Sequence, residues 1–377
     1  MLISTRLGRI VSGAATLALL AGCSGGGAPG TMPAASQGAA GQSIARSFAN
    51  PHFKLIDALH GNLGTPSNAL RFVNPDPFDP AAPKIGLYAA QYGSGTTGLG
   101  GSTSLYAVPD TKNVKPVCSS TTVTAINGIG VDATGTLWVP GSTPANISNP
   151  TNNVYTYAKN TCTQGKTTFT ETNGQASDIA FTTTGTTYVI DILNAKLTQG
   201  LISVYPKGKV KPTSTLALPG ISTFNGSSGG LALGIATDSK NNVYASYDNT
   251  AGGTDITVFA GGKGKGKVLQ SSSTVTYIGL AFDDKENLIA ANASGAAIDI
   301  FKPPYTGKPT TIATQGSSVP VDLKVDATNT NLYVGDVSNG TIDVYKYPSG
   351  TYEYSISNGL VSSNNVEGVA TDPSDNN

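Results

Sequence analysis

A unit of three short apolar runs recurs along most of this chain, and its recurrence narrows the available folds more than any other feature. The clearest copy reads Asp322-Leu-Lys-Val-Asp326, Asn331-Leu-Tyr-Val334 and Thr341-Ile-Asp-Val-Tyr345. Aligned on the residue that closes the first run, the series begins Gly128-Ile-Gly-Val-Asp132, Asp178-Ile-Ala-Phe-Thr182 and Gly234-Ile-Ala-Thr-Asp238. It continues with Gly279-Leu-Ala-Phe-Asp283, Asp322-Leu-Lys-Val-Asp326 and Gly368-Val-Ala-Thr-Asp372. The closing residues stand 50, 56, 45, 43 and 46 positions apart. A period of about 40 to 50 residues, with several alternating strands in each copy, is the pattern of a β-propeller.

Turn residues follow each first run, as in Ala133-Thr-Gly135 and Ser239-Lys-Asn-Asn242, where Asp and Asn side chains bond nearby backbone and start a hairpin. Second strands are expected at Leu137-Trp-Val139, Thr187-Tyr-Val189, Val243-Tyr-Ala245, Leu288-Ile-Ala290 and Leu332-Tyr-Val334. Third strands are expected at Val154-Tyr-Thr-Tyr157, Ile202-Ser-Val-Tyr205, Ile256-Thr-Val-Phe259, Ile298-Asp-Ile-Phe301 and Ile342-Asp-Val-Tyr345, their aromatics packing between blades. A Gly- or Pro-bearing turn then leads into a weaker outer strand. The last copy has only its first strand, whereas Ile85-Gly-Leu-Tyr-Ala89 and Ser104-Leu-Tyr-Ala-Val108 read as second and third strands without a first. The two ends together make one blade, and closing the ring removes exposed sheet edges. The expected fold is all-β: a six-bladed β-propeller over residues 85–377, four antiparallel strands to the blade.

The N-terminus obeys a different logic. Arg6 and Arg9 precede an apolar run over Ile10–Leu20, and Leu20-Ala21-Gly22-Cys23 follows. This order resembles a bacterial lipoprotein signal over residues 1–23, which implies cleavage before Cys23 and lipidation of its thiol and new N-terminus. An ordinary secretory signal with an incidental cysteine is the alternative. Spanning a bilayer takes about 20 apolar residues, more than this run supplies. The expected address is therefore the cell envelope: extracytoplasmic, at the outer membrane and periplasm or the cell surface, touching membrane through the anchor only. Residues 24–47, rich in Gly, Ala, Ser and Pro, read as a flexible tether. Residues 48–84 are expected to pack irregularly on the outside of the propeller.

The repeat resembles the NHL-type six-bladed propellers, a superfamily that includes gluconolactonase-like enzymes. Their unit runs Gly-Ile-Ala-Val-Asp, turn, Leu-Tyr-Val-Ala-Asp, loop, Ile-x-Val-Phe, and the match covers residues 85–377. The resemblance implies the fold. It does not carry a function, because binding modules, scaffolds and hydrolases share it.

Charge and rare residues exclude several chemistries. The 23 basic residues balance 23 acidic ones, which argues against a nucleic-acid partner. The two histidines, His52 and His60, precede the first blade, which weighs against a Ser-His-Asp site in the ring. Gly93-Ser-Gly95-Thr-Thr-Gly98 precedes a strand rather than a helix, and Gly226-Ser-Ser228-Gly-Gly230 lies in a loop with no helix after it, so neither reads as a nucleotide site or a nucleophile elbow. Gly261-Gly-Lys263-Gly-Lys265-Gly-Lys267 lacks the Ser or Thr of a P-loop and reads as a solvated hairpin tip. Cys118 and Cys162 each fall between a third strand and the next blade's first strand, in neighbouring units. Outside the cytoplasm they would form a disulfide, with two unpaired thiols as the alternative.

The informative positions are departures from the repeat. The leading residue of the first strand is Gly in four copies but Asp178 and Asp322 in the other two, on opposite blades. Lys324 stands two residues after Asp322, where it would pair with that carboxylate, and Asn127 and Glu367 precede leading glycines. These five residues are the candidate ligand-binding set: a polar channel mouth for a cation or a small polar ligand. The plainer alternative is that both aspartates cap strand starts. Two functions follow, a lipid-anchored binding or scaffold module for a protein or small polar ligand, and a gluconolactonase-like hydrolase with Ca²⁺ held in the channel. Binding is preferred over catalysis, with no catalytic residue and no cofactor assigned. Calcium needs six to eight oxygens at about 2.3–2.6 Å, and opposite blades set these carboxylates apart.

Overall fold

The computed structural model describes residues 85–92, 101–108, 114–124, 126–141, 153–196, 198–224, 229–316, 318–360 and 366–372. The signal segment with Cys23, the tether and the 48–84 segment lie outside the described residues, as do the 93–98 glycine motif and most of the Gly226 motif. Among the described residues there is no α-helix, and the strands form six four-stranded antiparallel sheets. The molecule is a six-bladed β-propeller.

Blade 1 is built from both ends of the array: inner strand Val366–Thr371, then Ile85–Gln91, Ser102–Val108 and Cys118–Ser120. Tyr88 pairs with Ala370 on one side and Leu105 on the other, which closes the ring. The remaining inner strands are Gly130–Val131, Gly174–Phe181, Ala232–Thr237, Tyr277–Phe282 and Pro320–Val325, for blades 2 to 6. Each is followed by its second, third and outer strands in chain order. In every blade the turn after the inner strand and the turn after the third strand therefore lie on one face of the disc. The other loops lie on the opposite face.

The second strands read as nearly continuous apolar runs because neighbouring blades cover both of their faces; Leu288–Asn292 is buried throughout. The core is accordingly divided among the six blade interfaces. Tyr157, Tyr205, Phe259, Phe301 and Tyr345 of the third strands are all fully buried there, and each large side chain so placed contributes about 1.5–3 kcal/mol. The turn chemistry expected from the sequence is present. Asp238 Oδ1 accepts the amides of Lys240 (3.0 Å) and Asn242 (2.8 Å), and Asp283 Oδ1 those of Lys285 (3.0 Å) and Asn287 (2.7 Å). Thr182 substitutes with its hydroxyl, which accepts the Thr186 amide at 3.0 Å.

Cys118 and Cys162 form a disulfide with Cα atoms 5.8 Å apart, tying the outer strand of blade 1 to the turn before that of blade 2. The cross-link spans 44 positions, a loop whose closure is worth roughly 3–4 kcal/mol through the unfolded chain. A Cys118→Ser/Cys162→Ser double variant should lose on the order of 3 kcal/mol of unfolding free energy in urea. An unchanged midpoint would show that the bond adds nothing to ring closure.

Candidate functional site

Each inner strand pairs with its second strand on one edge only, so its other edge faces the channel with backbone groups that still need partners. Asp178 and Asp322 meet this need in the same way. Asp178 Oδ1 accepts the amide of Ile179 (2.8 Å), and its Oδ2 accepts that of Ile235 in the next blade (3.2 Å). Asp322 Oδ1 accepts from Leu323 (2.8 Å), and its Oδ2 from Val369 in the next blade (2.8 Å). The next blade replies in each case. Thr237 Oγ1 donates to the Phe181 carbonyl (2.6 Å) and Thr371 Oγ1 to the Val325 carbonyl (3.4 Å). Blades 3 and 4 are thus stitched together as blades 6 and 1 are, half a ring away.

Two of the four leading glycines are required by this packing. A Cβ on Gly128 would stand 2.5 Å from Asp178 Oδ1, and one on Gly279 would stand 2.6 Å from the Cα of Asp322. The side chain of each aspartate occupies room that the preceding blade leaves by having none.

The structure revises the expected channel mouth. Asp178, Asp322 and Glu367 are only 4%, 3% and 7% exposed, so they form a closed polar layer across the channel rather than an open mouth. Asn127 is half-buried beside Gly128, with its carbonyl packed toward Gly368. All four carboxylate oxygens of the two aspartates accept backbone amides. Among the described residues no group of three or more His, Cys, Asp and Glu side chains gathers to hold a metal ion.

Lys324 is the exception within the set. Its ammonium lies 3.6 Å from Asp322 Oδ1 and 3.5 Å from the Leu280 carbonyl. It also reaches a cavity of about 330 Å³ on the channel axis, toward the face that carries the turns after the inner strands. All six blades line this cavity, among them Val131, Phe181, Thr237, Phe282 and Thr371, and among the described residues Lys324 is the one ionisable side chain in its wall. Sequence reasoning had no signal for the cavity, since its walls are the ordinary Val, Phe and Thr of the repeat.

Burial sets the protonation of this layer. It pushes the Glu367 carboxyl up to about 8, with the charge of Asp322 adding to the effect. Asp178 is pushed up to about 7 by burial and then by Asp322, with Lys324 opposing. Asp322 is raised by burial against the opposing pull of Lys324. Burial lowers Lys324, but Asp322 and Asp178 outweigh it and the net shift is upward, so the ammonium stays charged. A second acidic pair lies outside the channel in blade 3. Asp191 is fully buried, accepts the Ser203 hydroxyl at 2.7 Å, and is raised well above the usual carboxylate range by burial and by Glu171. Glu171, itself raised by burial, accepts the Tyr205 hydroxyl. The second strand of blade 3 runs past Asp191 to Asn194, whose Oδ1 caps the amides of Lys196 and Thr198.

No family model and no curated protein matches the chain. Among solved structures, a chain in the crystal structure of a nidogen/laminin complex superposes with a TM-score of 0.53 at 16% identity, over 76% of this chain and 98% of that one. At that identity the likeness concerns the fold.

Carboxyl groups raised in the folded state bind more protons there than in the unfolded chain. Their stabilising contribution is complete below the ordinary carboxylate range and is lost as pH rises through about 7 and 8. The unfolding midpoint should therefore fall over that range. Glu367→Gln should flatten the profile, gaining on the order of 2 kcal/mol relative to the parent near pH 8.5. Parallel profiles in thermal melts would show that Glu367 ionises freely in the folded protein.

Proposed function

We propose that this protein is a lipid-anchored, extracytoplasmic propeller of the NHL type that works as a binding module. Its axial cavity takes a small ligand with an anionic head and a partly apolar body. The anchor rests on the order of charge, apolar run and Leu20-Ala21-Gly22-Cys23 at the N-terminus. The ligand class rests on one observation: a single ammonium, Lys324, set in a wall of aliphatic, aromatic and hydroxyl groups. Such a pocket, mostly apolar with a few placed polar groups, is the usual form of a small-molecule site. The carboxylates beneath Lys324 hold it in position through Asp322. Partial protonation of that layer near neutral pH leaves the ammonium able to attract an anion.

The test is thermal unfolding with phenylacetate and hexanoate, each against its neutral amide. A carboxylate at about a hundred times its dissociation constant stabilises by about 2.7 kcal/mol, so the acids should raise the midpoint and the amides should not. Lys324→Gln should abolish the rise. Equal shifts from acid and amide, or a rise that survives Lys324→Gln, would refute the anionic head. A rise with calcium that is reversed by chelator would instead favour the hydrolase-like channel.

A further inference from the structure

The net charge of zero conceals a segregation. The turns after the third strands carry Lys207, Lys209 and Lys211 in blade 3 and Lys263 and Lys265 in blade 4, with Lys267 opening the outer strand beyond. Lys240 and Lys285, on turns after inner strands, lie on the same face of the disc, and Lys302 and Lys308 continue the series into blade 5. All of these are exposed. On the opposite face, Lys196 is the one lysine that the loops contribute among the described residues. Exposed acids on the lysine-bearing face are fewer than its lysines among the described residues: Asp284 is exposed and Asp132 and Glu286 are half-buried there, whereas Asp238, Asp283, Asp326 and Asp372 are buried, and Glu353 is paired with Lys346 at 3.5 Å.

A second observation says what this face suits. Among the described residues, two large apolar side chains remain exposed, Val210 at 52% and Val268 at 38%. Both sit within the lysine clusters, on adjacent blades: Val210 between Lys209 and Lys211, Val268 directly after Lys267. The tips are open, since a Cβ on Gly208 or Gly264 would meet nothing within 4 Å. The blade 4 turn also leans onto blade 3, where the Tyr188 hydroxyl donates to the Gly262 carbonyl at 3.1 Å, which brings the two clusters side by side. Single-stranded nucleic acid calls for stacking aromatics and base or phosphate readout favours arginine forks. The propeller segment contains no arginine, and no aromatic side chain is exposed on it among the described residues.

We infer that this lysine face docks on an anionic phospholipid surface, with the lysines meeting the headgroups and Val210 and Val268 entering the interface. This goes beyond the proposed anchor and ligand cavity: it is a second, electrostatic membrane contact. It would turn the cavity mouth toward the bilayer. Each lysine close to an anionic leaflet strengthens binding about fivefold, at about 1 kcal/mol each.

The test uses the full chain carrying Cys23→Ser, so that no lipid attaches, with an environment-sensitive dye placed at Val210→Cys or, as the opposite-face control, at Lys196→Cys. Vesicles of phosphatidylcholine with phosphatidylglycerol should shift the Val210→Cys dye to the blue and leave the Lys196→Cys dye unchanged. The response should vanish in about 0.5 M salt, where the screening length falls to about 4 Å. Adding Lys263→Gln, Lys265→Gln and Lys267→Gln should weaken the apparent affinity at least tenfold. The salt arm provides the same information should those variants fold poorly. The inference fails if both dye positions respond alike, if pure phosphatidylcholine shifts the Val210→Cys dye as strongly, or if the lysine variants bind unchanged. It also fails if duplex DNA or heparin engages the lysine face and the anionic vesicles do not, which would make the partner a soluble polyanion.

Discussion

The inner edge of each blade is the constraint from which the centre of this molecule follows. Ring closure pairs the two end strands within blade 1, but every inner strand keeps one unpaired edge toward the axis. Where the channel is closed to water, those amides must find partners inside the protein. Asp178 and Asp322 meet the demand twice each, within their own strand and across to the next. The reach across is short enough only because glycines let adjacent inner strands approach closely. The same side chains therefore explain why the repeat departs from glycine at two leading positions and why it keeps glycine at the neighbours. Two residues of the candidate ligand set, Asp178 and Asp322, thus serve as the joint between blades.

That joint leaves a consequence for charge. Carboxylates shut in this way cannot all ionise together, and Lys324 supplies the countercharge that lets one of them do so. The repeat has Gly or Ala at the position of Lys324 in every other copy, so the lysine is affordable only where it can pair with Asp322 below and open space lies above. A buried ion pair is weak grounds for stability on its own. Here its geometry does something more specific: it fixes an ammonium at the floor of a cavity walled by all six blades.

The repeat period, the order of strands and the completion of blade 1 from both termini were legible in the sequence because each follows from local alternation and a fixed spacing. So was the pairing of Lys324 with Asp322, two residues apart on one strand. The direction in which Asp178 and Asp322 spend their oxygens was not, because Ile235 and Val369 lie 57 and 47 positions away and carry only backbone amides. The burial of Asp191 beside Glu171 was not legible for a related reason: Glu171 comes from a loop outside the repeat. The length and closure of the channel depend on how closely glycines allow strands to pack, which no single copy of the motif reveals.

Charge balance shows most clearly how topology adds meaning to composition. Equal numbers of acidic and basic residues suggested a surface of no particular sign. In the fold the acids are largely inside, serving as turn caps beneath one face and as the polar layer of the channel, whereas the lysines are on tips and face water. An acid held by backbone amides within a turn has its charge partly compensated, and a lysine at a glycine-flanked tip does not. Among the described residues, exposed lysines therefore outnumber exposed acids despite the even count. Because turns after inner strands and turns after third strands share a face, the lysine tips lie on the same side of the disc as the cavity that Lys324 lines. Low-dielectric walls around a single positive charge favour an anion inside such a cavity. On the proposed reading, the cavity and the lysine face act at two levels, the first selecting by size and the second by the sign of whatever approaches.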